Sequence, residues 1–268
     1  MKITNTTLVS VISLLIFFGC FEGDIEKAKI KFGMEKYEKQ SERCDSTGCA
    51  KILLEYPEIK SSFNSEVKDS LDDYILNALL DNYSQQMGQK SIDEMAKIFL
   101  NDYDDARNEF SDYAIPWEIN NTISIIYNTN SIVSFQSEFY HYTGGAHGNS
   151  GVYFANFDSR VGKILVLSDL LISDYERELN NVAEEIFRKD KELSQEANLE
   201  EEGYWFEGNK FSLNDNFGIK SDGLVFFFNS YEIAPYAWGL TELIIPYKEI
   251  KNLIKKDGLL NNIVSHLD

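Results

Sequence analysis

The 268-residue chain has only four prolines, three cysteines and three histidines. Few prolines, together with 16 glycines, exclude a low-complexity linker of any length. The histidines, His141, His147 and His266, leave little material for catalysis or metal binding. A serine triad needs one of them as base, and no G-x-S-x-G elbow is present. His141 and His147 are spaced H-x5-H, which matches no common zinc motif, so no metal site is assigned. P-loop and dinucleotide glycine patterns are missing, and no cofactor is expected. Basic residues are scarce as well. With 25 Lys and Arg against 44 Asp and Glu, the net charge is −19. That balance excludes nucleic acid and anionic lipid headgroups as partners and leaves a basic partner or plain solubility.

No apolar run reaches the roughly 20 residues that span a bilayer. The longest, Leu8 to Phe18, is broken by Ser10 and Ser13 and follows Lys2. It has the layout of a signal peptide over residues 1–19. Ile16-Phe17-Phe18-Gly19-Cys20 resembles a bacterial lipobox, which makes Cys20 the lipidated first residue of the mature chain. Phe17 stands where leucine is usual, and Phe18 is bulkier than usual. Export places the other cysteines in an oxidising compartment. Cys44 and Cys49 flank the turn-forming Asp-Ser-Thr-Gly and can close a small disulfide loop.

Hydrophobic content of 43% is that of a globular protein. Period-two alternation predicts a strand through Ala28, Ile30, Phe32 and Met34 and another through Ala50, Ile52, Leu54 and Tyr56, ended by Pro57. Phe63, Val67, Leu71, Ile75 and Leu79 recur every four residues as one face of a long helix. Ser91-Ile92-Asp93-Glu94 is a capping box opening a second helix through Met95, Ala96, Phe99, Leu100 and Tyr103. Trp117 to Tyr127 reads as a strand whose inward parity is interrupted by Asn121. A strand from Val133 to His141 runs into a glycine-rich reversal and returns through Val152 to Phe157. Gly144, Gly145, Gly148 and Gly151 supply backbone angles that only glycine adopts freely. A turn at Asp158–Lys163 leads to a strand over Ile164–Leu167. A helix through Tyr175, Leu179, Val182 and Ile186 follows. Strands come next near 216–219, 224–228 and 241–245, and a short helix over Tyr247–Lys256. The fold class is α+β, with antiparallel sheets (a meander and hairpins) and packed helices. A seam falls near residue 160.

Acid pairs such as Asp72-Asp73 and Glu184-Glu185 point to different helix faces and read as solvated surface. No catalytic residue is assigned. Tyr231-Glu232-Ile233-Ala234-Pro235-Tyr236-Ala237-Trp238-Gly239 is the best candidate surface, because Tyr and Trp supply rigid contact area with polar tips. Tyr231, Tyr236 and Trp238, with His141 and His147, form the candidate binding set.

Several stretches together resemble a known family: Tyr56-Pro57-Glu58-Ile59, Tyr140-His141-Tyr142-Thr143-Gly144-Gly145-Ala146-His147-Gly148, Asn156-Phe157-Asp158 with Gly162-Lys163, Leu167-Ser168-Asp169-Leu170, Tyr231 to Ala237, and Ile245-Pro246-Tyr247. They are similar to the RsiV-like extracytoplasmic domain pair of the anti-sigma-V factor ectodomain, which also forms the non-catalytic part of the peptidoglycan deacetylase PdaC. Gly148 stands where proline often follows the histidine. The resemblance implies a PdaC-like half over residues 20–160 and an RsiV-like half over 161–268. It implies a cell-envelope module and, in the anti-sigma branch, recognition of lysozyme, a basic protein. With the lipobox, the expectation is a lipid anchor to the membrane and lysozyme, another basic protein or peptidoglycan as partner. It assigns no catalytic role to either histidine, and no deacetylase domain or cytosolic sigma-binding segment is expected. The expected function is a non-catalytic binding module. The alternatives are a cell-wall glycan hydrolase using separated carboxylates and a structural lipoprotein.

Overall fold

A computed structural model describes residues 29–44, 48–62, 64–84, 90–110 and 115–265. The expected signal peptide, Cys20, Phe63 and His266 lie outside the described residues. Strands β1 (Lys31–Gln40) and β2 (Ala50–Ser61) form an antiparallel hairpin, with a Cys44–Cys49 disulfide at its closed end. Ala50, Ile52 and Leu54 are buried, as their alternation requires, and beyond them the buried parity switches to Pro57 and Ile59. Met34, expected inward, is exposed on this edge strand. Pro57 does not end β2. The next strand pairs with β2 only over Ala50–Glu55, so Pro57 lies where one flank has no ladder bond to lose.

Helices α1 (Ser65–Ser84) and α2 (Ile92–Glu109) follow. The Asn64 side chain accepts from the Glu66 amide at 2.8 Å and starts α1. Val67, Leu71, Ile75 and Leu79 are buried along one face. Ser91 caps α2 by accepting from the Glu94 amide at 3.2 Å. The Glu94 carboxylate accepts from the Lys90 amide at 2.9 Å, one residue earlier than an ideal box would place it. The helix pair carries the chain to β3 (Trp117–Asn128), which runs parallel to β2. The six-stranded sheet is therefore mixed, where the sequence suggested antiparallel pairing alone.

From β3 the sheet is a meander through β4 (Ile132–Tyr142), β5 (Asn149–Asp158) and the two-residue β6 (Lys163–Ile164). In the β4–β5 reversal only Gly144 and Gly145 have positive φ, 100° and 102°. Gly148 and Gly151 serve close approach instead. Leu167 does not extend β6 but opens the one-turn α3 (Leu167–Leu170), and α4 (Glu176–Asp190) follows. A second, antiparallel sheet consists of β7 (Phe217–Ile219), β8 (Gly223–Phe228) and β9 (Thr241–Pro246). The helix expected over Tyr247–Lys256 is two 3-10 turns, Tyr247–Glu249 and Lys251–Leu253. The short α5 (Asn261–Val264) comes after them.

Two hydrophobic cores result. Phe99, Tyr103, Phe135 and Phe157 centre one between α1, α2 and the large sheet. Phe187, Phe211, Phe226 and Tyr247 centre the other under the small sheet. Asparagine side chains join them. Over residues 149–155 the outer edge of β5 has no partner strand among the described residues. There the Val152 amide donates to Asn229 Oδ1 at 2.7 Å, and the Phe154 amide to Asn216 Oδ1 at 3.0 Å. Both asparagines return their Nδ2 to the Val152 carbonyl, at 3.1 Å and 2.8 Å. Asn156 of β5 reaches the other way. Its Nδ2 donates to the Phe217 carbonyl at 2.8 Å, and its Oδ1 accepts from the Ile219 amide at 2.9 Å. Asn156 is buried, so removing its amide strands several polar groups in the interior. Asn156→Ala is expected to destabilise the protein by about 3 kcal/mol, measured as the shift in a urea unfolding curve. A loss near zero would mean that other contacts hold the two sheets together.

Candidate functional site

The β4–β5 reversal and the segment after β8 meet at Gly148. Its carbonyl accepts from His147 Nδ1 at 2.9 Å, so the His147 proton sits on Nδ1 in this arrangement. The same carbonyl accepts from the Tyr236 hydroxyl at 3.4 Å. The His147 and Tyr236 rings stack, with centroids 4.1 Å apart and planes 20° apart. Tyr231 extends the row at 5.7 Å from Tyr236. Its backbone has a φ of 68°, the left-handed region, where a bulky residue is strained. On the other side of Gly148 lies the Tyr140 ring, which a methyl group on Gly148 would overlap. A side chain at this position would have to displace the end of the Tyr140 ring.

Below this junction is an open groove of about 280 Å³. Asn120, Thr122, Glu138, Tyr140, Ser150 and Leu240 line it. Alternation along β3, β4 and β5 turns these polar and aromatic side chains to the sheet face opposite α1 and α2. Leu240 comes from the end of the aromatic segment and forms the far wall. Gln136 Nε2 donates to Glu138 Oε1 at 2.7 Å and holds that carboxylate in place. Tyr140 is 36% exposed.

The structure brings together three of the five residues that the sequence proposed, Tyr231, Tyr236 and His147. Trp238 lies on the same segment and is 51% exposed. Its ring leans on Tyr204 at 5.2 Å and covers Gly203. His141 is set apart. It is 7% exposed and faces the helices, with Nε2 2.9 Å from Asn121 Oδ1. Asn121 in turn donates to the Leu79 carbonyl of α1 at 3.2 Å. The asparagine that breaks the β3 pattern is thus the buried partner of His141. Sequence reasoning missed Glu138 and Ser150, whose alternation with buried neighbours was the only signal. Among the described residues no group of three His, Cys, Asp or Glu side chains is placed to hold a metal ion.

These features define a two-part α+β module with a groove between the face of the large sheet and the segment after β8, Tyr140 in its floor and Leu240 in its wall. Residues 44–150 match the family described as Deacetylase PdaC, and residues 168–248 match Protein of unknown function (DUF3298). The chain joins a PdaC domain to a DUF3298 domain of the RsiV-like kind. A curated relative, the peptidoglycan-N-acetylmuramic acid deacetylase PdaC of Bacillus subtilis (strain 168), is 28% identical over 153 residues. The match spans 56% of this chain and 30% of that protein. Two solved structures share the fold. A DUF3298 family member from Bacteroides fragilis gives a TM-score of 0.71 at 22% identity, over 88% of this chain and 98% of its own. One from Pseudomonas aeruginosa gives 0.66 at 22% identity, over 86% and 96%.

The two glycines at the groove should separate in effect. Gly148→Ala pushes against the end of an exposed tyrosine that can swing away. It should leave the unfolding midpoint nearly unchanged while abolishing the ring-current shift of Tyr140 on the residue 148 backbone in NMR spectra. Gly151→Ala meets the buried Phe139 ring and Asn229 Oδ1 and should cost about 2 kcal/mol. Equal effects of the two would contradict this placement.

Proposed function

We propose that the protein is a cell-envelope binding module, without catalysis of its own, that recognises peptidoglycan glycan through the groove beside Tyr140 and Tyr236. The observation that favours this most is the groove itself, in which the exposed Tyr140 ring lies next to the polar side chains of Asn120, Thr122 and Ser150. Sugar rings stack on such faces and satisfy their hydroxyls on such neighbours. The relative named as a peptidoglycan deacetylase and the Cys44–Cys49 disulfide point to the same extracytoplasmic setting. In this reading the binding module keeps a protein on the cell wall.

A second reading, a basic protein such as lysozyme as partner, is favoured by the net charge of −19. It differs in salt dependence, since charge-steered association weakens as salt screens it and ring stacking does not.

Co-sedimentation of the purified chain with peptidoglycan sacculi tests the first reading. The protein should pellet at both low and high salt, and Tyr236→Ala should reduce the pelleted fraction several-fold. Failure to pellet, with salt-sensitive heat on titration of lysozyme, would replace the glycan by the basic protein. Lipid anchoring through Cys20 belongs to the same proposal. In the producing cell Cys20→Ser should move the protein from the membrane fraction to the soluble one. An unchanged distribution would remove the anchor.

A further inference from the structure

Glu138 is the one charged side chain among the described residues that line the groove. Its Oε1 is engaged by Gln136, and the residue is exposed on the groove side of the sheet. A carboxylate fixed beside an aromatic platform repels an anionic ligand and attracts a cationic one. Phosphate-rich polymers and carboxylate-bearing sugars are therefore poorly matched to this spot. The groove, at about 280 Å³, falls just below the roughly 300–1,000 Å³ typical of small-molecule sites. It suits one sugar ring with its substituents and no more. The neighbouring Asn120, Thr122 and Ser150 are uncharged donors and acceptors suited to hydroxyls.

From these features we infer that the groove selects a hexosamine unit bearing a free amine, a de-N-acetylated sugar, over its N-acetylated counterpart. The inference rests on the glycan-binding reading above and specifies the ligand within it. The sugar ring stacks on the exposed part of Tyr140, whose tip lies against Gly148. The ammonium group forms a charge-assisted hydrogen bond with Glu138. An acetylated nitrogen has no charge to offer and adds an acyl group that a groove of this size must also accommodate. A free amine is what removal of an N-acetyl group leaves. The class of reaction that would supply this ligand is hydrolysis of the acetamide on an N-acetylglucosamine unit of the glycan, which releases acetate and leaves the amine. On this view the module reads a product of deacetylation.

Calorimetric titration of the full chain with a glucosamine trisaccharide and an N-acetylglucosamine trisaccharide tests the inference. The expected result is about tenfold tighter binding of the free-amine form, the usual scale for one charged hydrogen bond. Glu138→Gln should erase that preference, with an unchanged unfolding curve showing that the variant is folded. Tyr140→Ala should weaken both ligands, and NMR shift changes should fall on Glu138, Tyr140 and Ser150. Equal affinity, or a preference that survives in Glu138→Gln, would overturn the selection for amine and leave glycan binding standing. Binding of neither trisaccharide while sacculi still pellet would also overturn it without touching the broader reading. Binding of neither trisaccharide nor sacculi would remove both.

Discussion

A strand edge that no strand covers governs this structure. The outer side of β5 offers the amides and carbonyls of Val152 and Phe154, and an open edge of that kind invites pairing with another chain. Asn216 and Asn229 close it with amide side chains that both donate and accept, as a strand backbone would. The two residues bracket the β7–β8 hairpin, so sealing the edge also fixes the small sheet against the large one. Asn156 repeats the device in reverse, pairing its side chain with the backbone of β7. Each hydrogen bond is worth little net, but leaving its buried partner unmade is costly, so the seam is specific as well as cohesive.

The groove follows from that seam. One wall is the outward face of β3, β4 and β5, and the other is the segment after β8 that begins at Asn229. Were the second sheet free to shift, Leu240 and Tyr236 would not stay opposite Tyr140. The hydrogen bond from Tyr236 to the Gly148 carbonyl and the stack on His147 fasten the far end of the same wall. Rigid elements thus hold an exposed aromatic site in place, which lowers the entropy lost on binding a ring.

Much of this was legible in the sequence where a single periodicity ruled. The α1 face, the Ser91 cap and the strand parity through Ile119 and Ile123 could be read because burial on one side alone sets them. The aromatic segment from Tyr231 to Trp238 was legible as surface because so many amphipathic rings in one loop cannot all be buried. The parallel β2–β3 pairing was not legible, since a local pattern does not record which strand a helix pair returns to. Pro57 misled because its tolerance depends on where a distant strand stops pairing. The burial of His141 depended on Asn121, twenty residues away, which reads alone as a flaw in an apolar pattern. The seam asparagines were invisible for the same reason, because their partners are backbone groups of another strand.

Amide hydrogen exchange at Val152 and Phe154 tests the seam most directly. These two amides sit on a strand edge with no neighbouring strand among the described residues, where exchange is fast unless a side chain accepts their hydrogens. The account predicts protection comparable to amides in the middle of the β4–β5 ladder. Exchange as rapid as that of an open strand edge would contradict it and leave the union of the two sheets unexplained.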